Sequence, residues 1–144
     1  MKFSCEIIIN APIDHTAAVF ENPDNLKHFQ DGFISKELIS GTEGSEGAIS
    51  KMIYKKLELK ETIITNNLPA EFKALYEHKH MTNTMSVQFK ALADDKTQYI
   101  SEIDYTKFNG LFIKLMATLF PGMFKKQVYK WMTQFKTYTE SLLD

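Results

Sequence analysis

Side chains able to hold or move a proton alternate with apolar ones along three stretches of this chain. Phe72, Ala74, Tyr76 and His78 take every second place, as do Met85, Val87, Phe89 and Ala91, and then Tyr99, Ser101, Ile103 and Tyr105. The places between them hold mostly Lys, Glu, Ser, Gln and Asp. Period two is the mark of a strand with one wet face, so phenols and an imidazole are carried inward with the apolar set. An apolar wall with a few polar groups has the composition of a small-molecule pocket, and equally that of a core in which tyrosine hydroxyls find water. Glu61 is the sharper case. If Leu57, Leu59, Glu61 and Ile63 face inward, a carboxylate enters the interior and needs a partner such as Tyr76 across the hairpin. With the register shifted by one it faces water. Tyr54, alternating with Lys55 and Lys51, has the same two readings.

Other chemistries are excluded more simply. His78 could protonate or hydrogen-bond a ligand near neutral pH, or sit exposed beside a turn. His15, His28 and His80 lack metal-ligand spacing, and no Cys or acidic pair completes a site around His78 and His80, so no metal is assigned. There is no nucleophile elbow, no Cys-His arrangement and no glycine-rich phosphate loop, so neither a catalytic residue nor a cofactor is assigned. Net charge is −1 and the sequence pI about 6.4, against a nucleic-acid partner. All 17 basic residues are lysines, which removes the planar fork that captures phosphate two-pronged. The single cysteine, Cys5, reads as a small core hydrophobe; it excludes an internal disulfide and suits a reducing cytoplasm. The N-terminus has no signal-peptide pattern, and Leu111 to Phe124 is too short and interrupted to span a membrane.

These residues need elements to position them. Phe3, Cys5, Ile7 and Ile9 alternate as a first strand that stops at Ala11-Pro12. Pro12 and Asp14 start a short helix with Ala17, Ala18 and Phe20 inward, and Asn22-Pro23-Asp24 starts another running to about Phe29. Six strands follow: Phe33 to Ser40, Ala48 to Lys56, Glu58 to Thr65, Glu71 to His78, Thr84 to Leu92 and Thr97 to Thr106. Their connections leave no room for crossover helices, so neighbours pair antiparallel. Gly41, Gly44 and Gly47 mark the first reversal. Leu111, Phe112, Leu115, Met116 and Leu119 form a helical pattern that Pro121-Gly122 interrupts. The last helix places Phe124, Val128, Trp131, Phe135, Tyr138 and Leu142 on one face, which must be covered. At about 1.5 Å per residue it is about 30 Å long, enough to cross a small domain. The reading is one α+β domain over 1–144, seven antiparallel strands with two short helices between the first and second.

The segment IIINAPIDHTAAVFENPDNLKHFQDGF, followed by LISGTEGSEG, resembles the opening of the START-like or SRPBCC superfamily, which includes polyketide cyclases, lipid-transfer domains and the birch-pollen allergens. The matching pieces are the strand ending Ala11-Pro12-Ile13-Asp14, the Asn22 to Leu26 corner and the Gly41 to Gly47 loop. Many members carry a tryptophan soon after the corner, where this chain has His28-Phe29. The resemblance implies a helix-grip fold, a curved sheet around the C-terminal helix with an apolar cavity between them. A bent sheet crossed by one helix leaves volume that is either plugged or used. The residues expected to meet a ligand there are Tyr54, Glu61, Tyr76, His78, Val87, Phe89, Tyr99, Met116, Phe120, Phe124, Trp131 and Phe135, with Leu111 to Phe124 as a gate. Three functions follow: binding or transport of a hydrophobic small molecule such as a lipid, quinone or polyketide; a cyclase or hydratase in which Tyr76, His78 or Glu61 moves protons; or a protein-interaction module. The C-terminal lysines read either as a solvated helix face or as a transient contact with an anionic membrane surface. Oligomeric state is left open.

Overall fold

The computed structural model describes residues 1–143. Strands β1 (Lys2–Ile9), β2 (Phe33–Ser40), β3 (Ile49–Tyr54), β4 (Glu58–Asn67), β5 (Glu71–His78), β6 (Met81–Ala93) and β7 (Lys96–Phe108) make one sheet in the order β1-β7-β6-β5-β4-β3-β2. Every neighbouring pair is antiparallel. The meander from β2 to β7 is the one the alternation predicts. β1 closes on β7, so the chain must cross from one edge of the sheet to the other before β2 begins. That crossing is made by α1 (Ile13–Glu21), a single 3₁₀ turn (Pro23–Asn25) and α2 (Leu26–Phe29). Register shifts within β2/β3, β4/β5 and β6/β7 mark the bulges that bend the sheet toward them.

Local chemistry sets the corner. The Pro12 carbonyl accepts from both the backbone N–H and the hydroxyl of Thr16, each at 3.0 Å, which fixes the first turn of α1. Asn22 Oδ1 accepts from the Asp24 N–H at 3.0 Å, an Asn cap at the expected place. Ala17 and Val19 are buried and Phe20 half-buried, whereas Ala18 faces out, because the buried stripe of α1 runs Thr16, Ala17, Val19. At the first reversal Gly41 has φ +86°, and a Cβ there would stand 2.9 Å from Ala48 Cα, so two backbones meet where only glycine fits.

The C-terminal helix α4 (Gly122–Ser141) lies against β1 and the corner. Tyr138 donates to Asn25 Oδ1 at 3.1 Å and stacks on His28 at 4.6 Å between ring centroids, and Glu140 accepts from the Asn10 N–H at 2.9 Å. Its buried residues are Met132, Phe135 and Thr139. Leu142, expected inward, is exposed; it caps α4 just beyond Ser141, past the last turn that packs on the body. Phe20 drops from α1 into the bowl, its ring 5.5 Å from Phe72, 5.5 Å from Phe89 and 6.0 Å from Phe135. These edge-to-face contacts are the favoured aromatic geometry and make Phe20 the central plug of the interior.

The preceding helix α3 (Leu111–Leu119) buries no residue. Its Ile113, Met116 and Ala117 are half-buried, and at its foot the Asn109 N–H donates to the His80 carbonyl at 2.7 Å.

Candidate functional site

Glu61 and Tyr76 face each other across the β4/β5 ladder, and the register turns both inward. The phenol donates to Glu61 Oε2 at 2.7 Å. Glu61 is 4 % exposed, so its charge needs compensation within the fold. Lys36 on β2 supplies it: its Nζ stands 3.1 Å from Glu61 Oε1 and 3.2 Å from Glu43 Oε1 on the glycine loop. The ammonium pairs with Oε1 while the Tyr76 phenol holds Oε2, so the buried carboxylate is held by one cation and one hydroxyl. Burial by itself pulls the Lys36 ammonium down, yet the Glu61 and Glu43 carboxylates outweigh it and hold its pKa above the ordinary lysine value.

Tyr54 on β3 completes the group. Its hydroxyl donates to Gln30 Oε1 at 2.6 Å, and its ring stacks on Trp131 at 6.0 Å and 14°. Burial first, then the nearby Glu61 charge, pushes the Tyr54 and Tyr76 phenols well above their ordinary range. Both therefore stay neutral at physiological pH, as hydrogen-bond donors. Lys36, held charged, is a poor amine nucleophile and a good partner for an oxygen with negative character. The group can hold an acceptor atom and has no activated nucleophile. Among the described residues no cluster of three His, Cys, Asp or Glu is placed to hold a metal ion.

Gln30, Lys36, Glu61 and Tyr76 line a cavity of about 70 Å³ whose remaining wall is mostly apolar. One wall comes from the sheet, with Met52, Ile63, Phe72 and Met85. Another comes from the corner, with Phe20, Leu26 and Phe29. Glu21 and Pro23 of the corner, Glu43 and Gly44 of the glycine loop, and Asn66 and Leu68 at the end of β4 and the turn after it complete the lining. α4 contributes none of this cavity's lining, since Phe135, 1 % exposed, is packed among Phe20, Phe29 and Tyr99; between the sheet and α4 lies an open groove, with Ile7, Ile8 and Gln98 on one side and Tyr129 and Thr133 on the other.

Of the residues singled out in the sequence, Glu61 and Tyr76 line the cavity, and Tyr54 and Trp131 stand behind it through Gln30. Val87, Phe89, Tyr99 and Phe135 are buried in the packed core. Phe124 packs on Tyr105 at 5.0 Å and on Phe108 at 5.9 Å, closing the far end of the bowl. His78 pairs with Leu59 beyond Glu61 and accepts at Nδ1 from the His80 N–H at 3.2 Å; burial, then His80 and Lys79, holds its imidazole below the ordinary value. Met116 and Phe120 lie on α3 and at its C-terminal end, away from the cavity, so that segment does not gate it. Gln30, Lys36 and Glu43 are not among the residues singled out in the sequence, and Phe20, expected inward, is not among those expected to meet a ligand. No sequence signal marks Lys36, because Phe33 to Ser40 lacks clean alternation and a lysine facing in cannot be told there from one facing out.

No protein-family model and no curated protein sequence matches the chain. Among solved structures it is similar to the protein TTHA0849 from Thermus thermophilus, with TM-score 0.81, 13% identity and full coverage of both chains. It is also similar to the Zhui aromatase/cyclase from Streptomyces sp. R1128, with TM-score 0.82, 7% identity, and coverage of 100% of this chain and 96% of that one. A norcoclaurine synthase point mutant from Thalictrum flavum, in complex with a transition-state analogue, gives TM-score 0.72 at 16% identity, with 100% and 96% covered. At these identities the likeness establishes a shared helix-grip fold.

Proposed function

We propose that this chain is a single ligand-binding domain that takes a hydrophobic small molecule, of the lipid, quinone or polyketide kind, into the cavity beneath the α1–α2 corner. The observation that carries this reading is the Lys36–Glu61–Tyr76 group at the end of an apolar cavity. A buried ion pair is a weak source of stability, and an apolar replacement of similar volume often serves as well. Its placement where a ligand would end, with a buried carboxylate, a neutral phenol and an ammonium held charged, is what a site for a polar head requires. The ligand suited to it has an apolar body and a carbonyl- or phenol-type oxygen. As it stands the cavity is far below the roughly 300–1,000 Å³ of a drug-sized pocket. Entry therefore requires the half-buried Phe20 ring to swing out of its aromatic setting, which is a rotamer change rather than a change of fold.

A second reading is a cyclase- or hydratase-like enzyme, favoured by the Tyr76–Glu61 hydrogen bond, which joins a proton donor to an acceptor within the cavity. The absence of an activated nucleophile from that group limits such chemistry to proton movement.

Trp131 is the only tryptophan and stacks on Tyr54, so its fluorescence reports on the site. Titration with a naphthoquinone should give saturable quenching, tighter in Phe20→Ala and about tenfold weaker in Lys36→Met, the loss expected for one charged hydrogen bond. Linear, unsaturated quenching equal in all three proteins rejects the reading.

A further inference from the structure

The α3 segment carries the largest exposed apolar side chains of the molecule. Leu111 is 85% exposed and Phe112 75%, and Leu115, Leu119, Phe120 and Met123 are each about half exposed or more. At 100° per residue, Leu111, Leu115, Leu119 and Phe112 fall within a single arc of about 100°, so they form one continuous outward face. Ile113, Met116 and Ala117 occupy the opposite, half-buried side. Isolated exposed leucines are common, but a contiguous ridge of this kind calls for a partner.

Charge identifies which partner. Between residues 107 and 139 there are six lysines and no acidic residue, although the chain has 18 acids for its 17 lysines. Lys130 and Lys136 are paired with Asp31 and Glu140, whereas Lys107, Lys114, Lys125 and Lys126 are exposed within or next to the segment that carries the ridge. Lys79, in the turn that Asn109 ties to the foot of α3, adds to the same end of the molecule. A second copy of the chain is a poor occupant, since a two-fold contact would set this lysine-only surface against itself. A partner that accepts a groove is equally poor, because the residues stand on a ridge. We propose that α3 and the start of α4 dock the protein on an anionic lipid bilayer, the ridge entering the headgroup boundary while the lysines meet lipid phosphates and carboxylates. None of the described helices is long and apolar enough to cross a bilayer, so the contact is a surface one. Docking through α3 is independent of the cavity and stands or falls without it.

The test is co-sedimentation of the whole chain with phosphatidylcholine vesicles, with and without phosphatidylserine. Binding should appear with phosphatidylserine, weaken as salt is raised, and fall about tenfold or more in Leu111→Ser/Phe112→Ser/Leu115→Ser and in Lys114→Glu/Lys125→Glu/Lys126→Glu. Both sets lie on the surface, and circular dichroism verifies that the fold is kept. Equal binding to both vesicle types, no binding to either, or unchanged binding of both variants overturns the proposal. So does a concentration-dependent dimer that the Leu/Phe variant abolishes, since that assigns the ridge to a second copy.

Discussion

Tyr76 and Glu61 stand directly opposite on adjacent antiparallel strands, and their side chains meet at 2.7 Å on the inner face. The contact locks the register of the β4/β5 hairpin by one polar pair, because a slip of one residue would turn both groups into water and leave the opposite face inside. It also fixes the carboxylate oxygen that Lys36 approaches from two strands away. Stability and site chemistry are therefore coupled here.

Removing Lys36 leaves the Glu61 charge buried without its cation. Lys36→Met should lose about 2–3 kcal/mol, less than a fully buried pair would because the lysine side chain retains 14% exposure. Lys36→Met/Glu61→Gln should recover most of it. Urea unfolding of the two single variants and the double variant checks this, and additive losses would contradict it.

The four buried phenols predict an alkaline limit. Tyr54, Tyr76 and Tyr99 are pushed well above the ordinary range by burial, and Tyr105 up to about 12. A raised phenol pKa means that the unfolded chain releases its protons first, from about pH 10. Their contribution is complete below that pH and is lost as pH rises through the folded values. Tyrosinate absorbance of these four should appear together with loss of near-ultraviolet circular dichroism; smooth ionisation of all four in a folded protein would contradict the packing described.

Phe20→Ala removes the plug. The ring is half-buried, so the cost should be about 2–3 kcal/mol, below that of a fully buried phenylalanine. Thermal unfolding measures that loss, and binding of bulky apolar ligands should strengthen. A loss in stability with no gain in binding would mean that Phe20 is core alone.

Gly41→Ala and Gly44→Ala separate sterics from backbone preference. Both positions have positive φ, +86° and +78°, but only at Gly41 would the new Cβ meet backbone, 2.9 Å from Ala48 Cα. Gly44→Ala should cost about 1 kcal/mol and Gly41→Ala at least about 2–3, as the β2 and β3 ends are forced apart. Equal costs in chemical denaturation would show that the loop relaxes freely.

Much of this was legible in the residues themselves. β5 has the bounds its alternation predicts, and β5, β6 and β7 turn Phe72, Val87 and Tyr99 inward as period two requires. The Asn22 cap and the glycine loop are local events that short-range chemistry specifies. Lys36 was not legible, because its inward position depends on a carboxylate two strands away and on a bulged strand with mixed patterning. Nor was the place of the cavity. That depends on Phe20 and Phe135 competing for the same volume, which no one-dimensional period encodes. The pattern of α3 reads as a gate, yet none of its residues lines the cavity, and Leu111, Phe112, Leu115 and Leu119 are exposed.

The most direct test is denaturing mass spectrometry of protein taken straight from cells, comparing the wild type with Met85→Trp, which fills the cavity from the sheet side. A stoichiometric apolar compound bearing an acceptor oxygen, present with the wild type and absent from the variant, is the result this account predicts. A wild-type protein that carries nothing and binds no member of a panel of lipids, quinones and aromatic polyketides would contradict it.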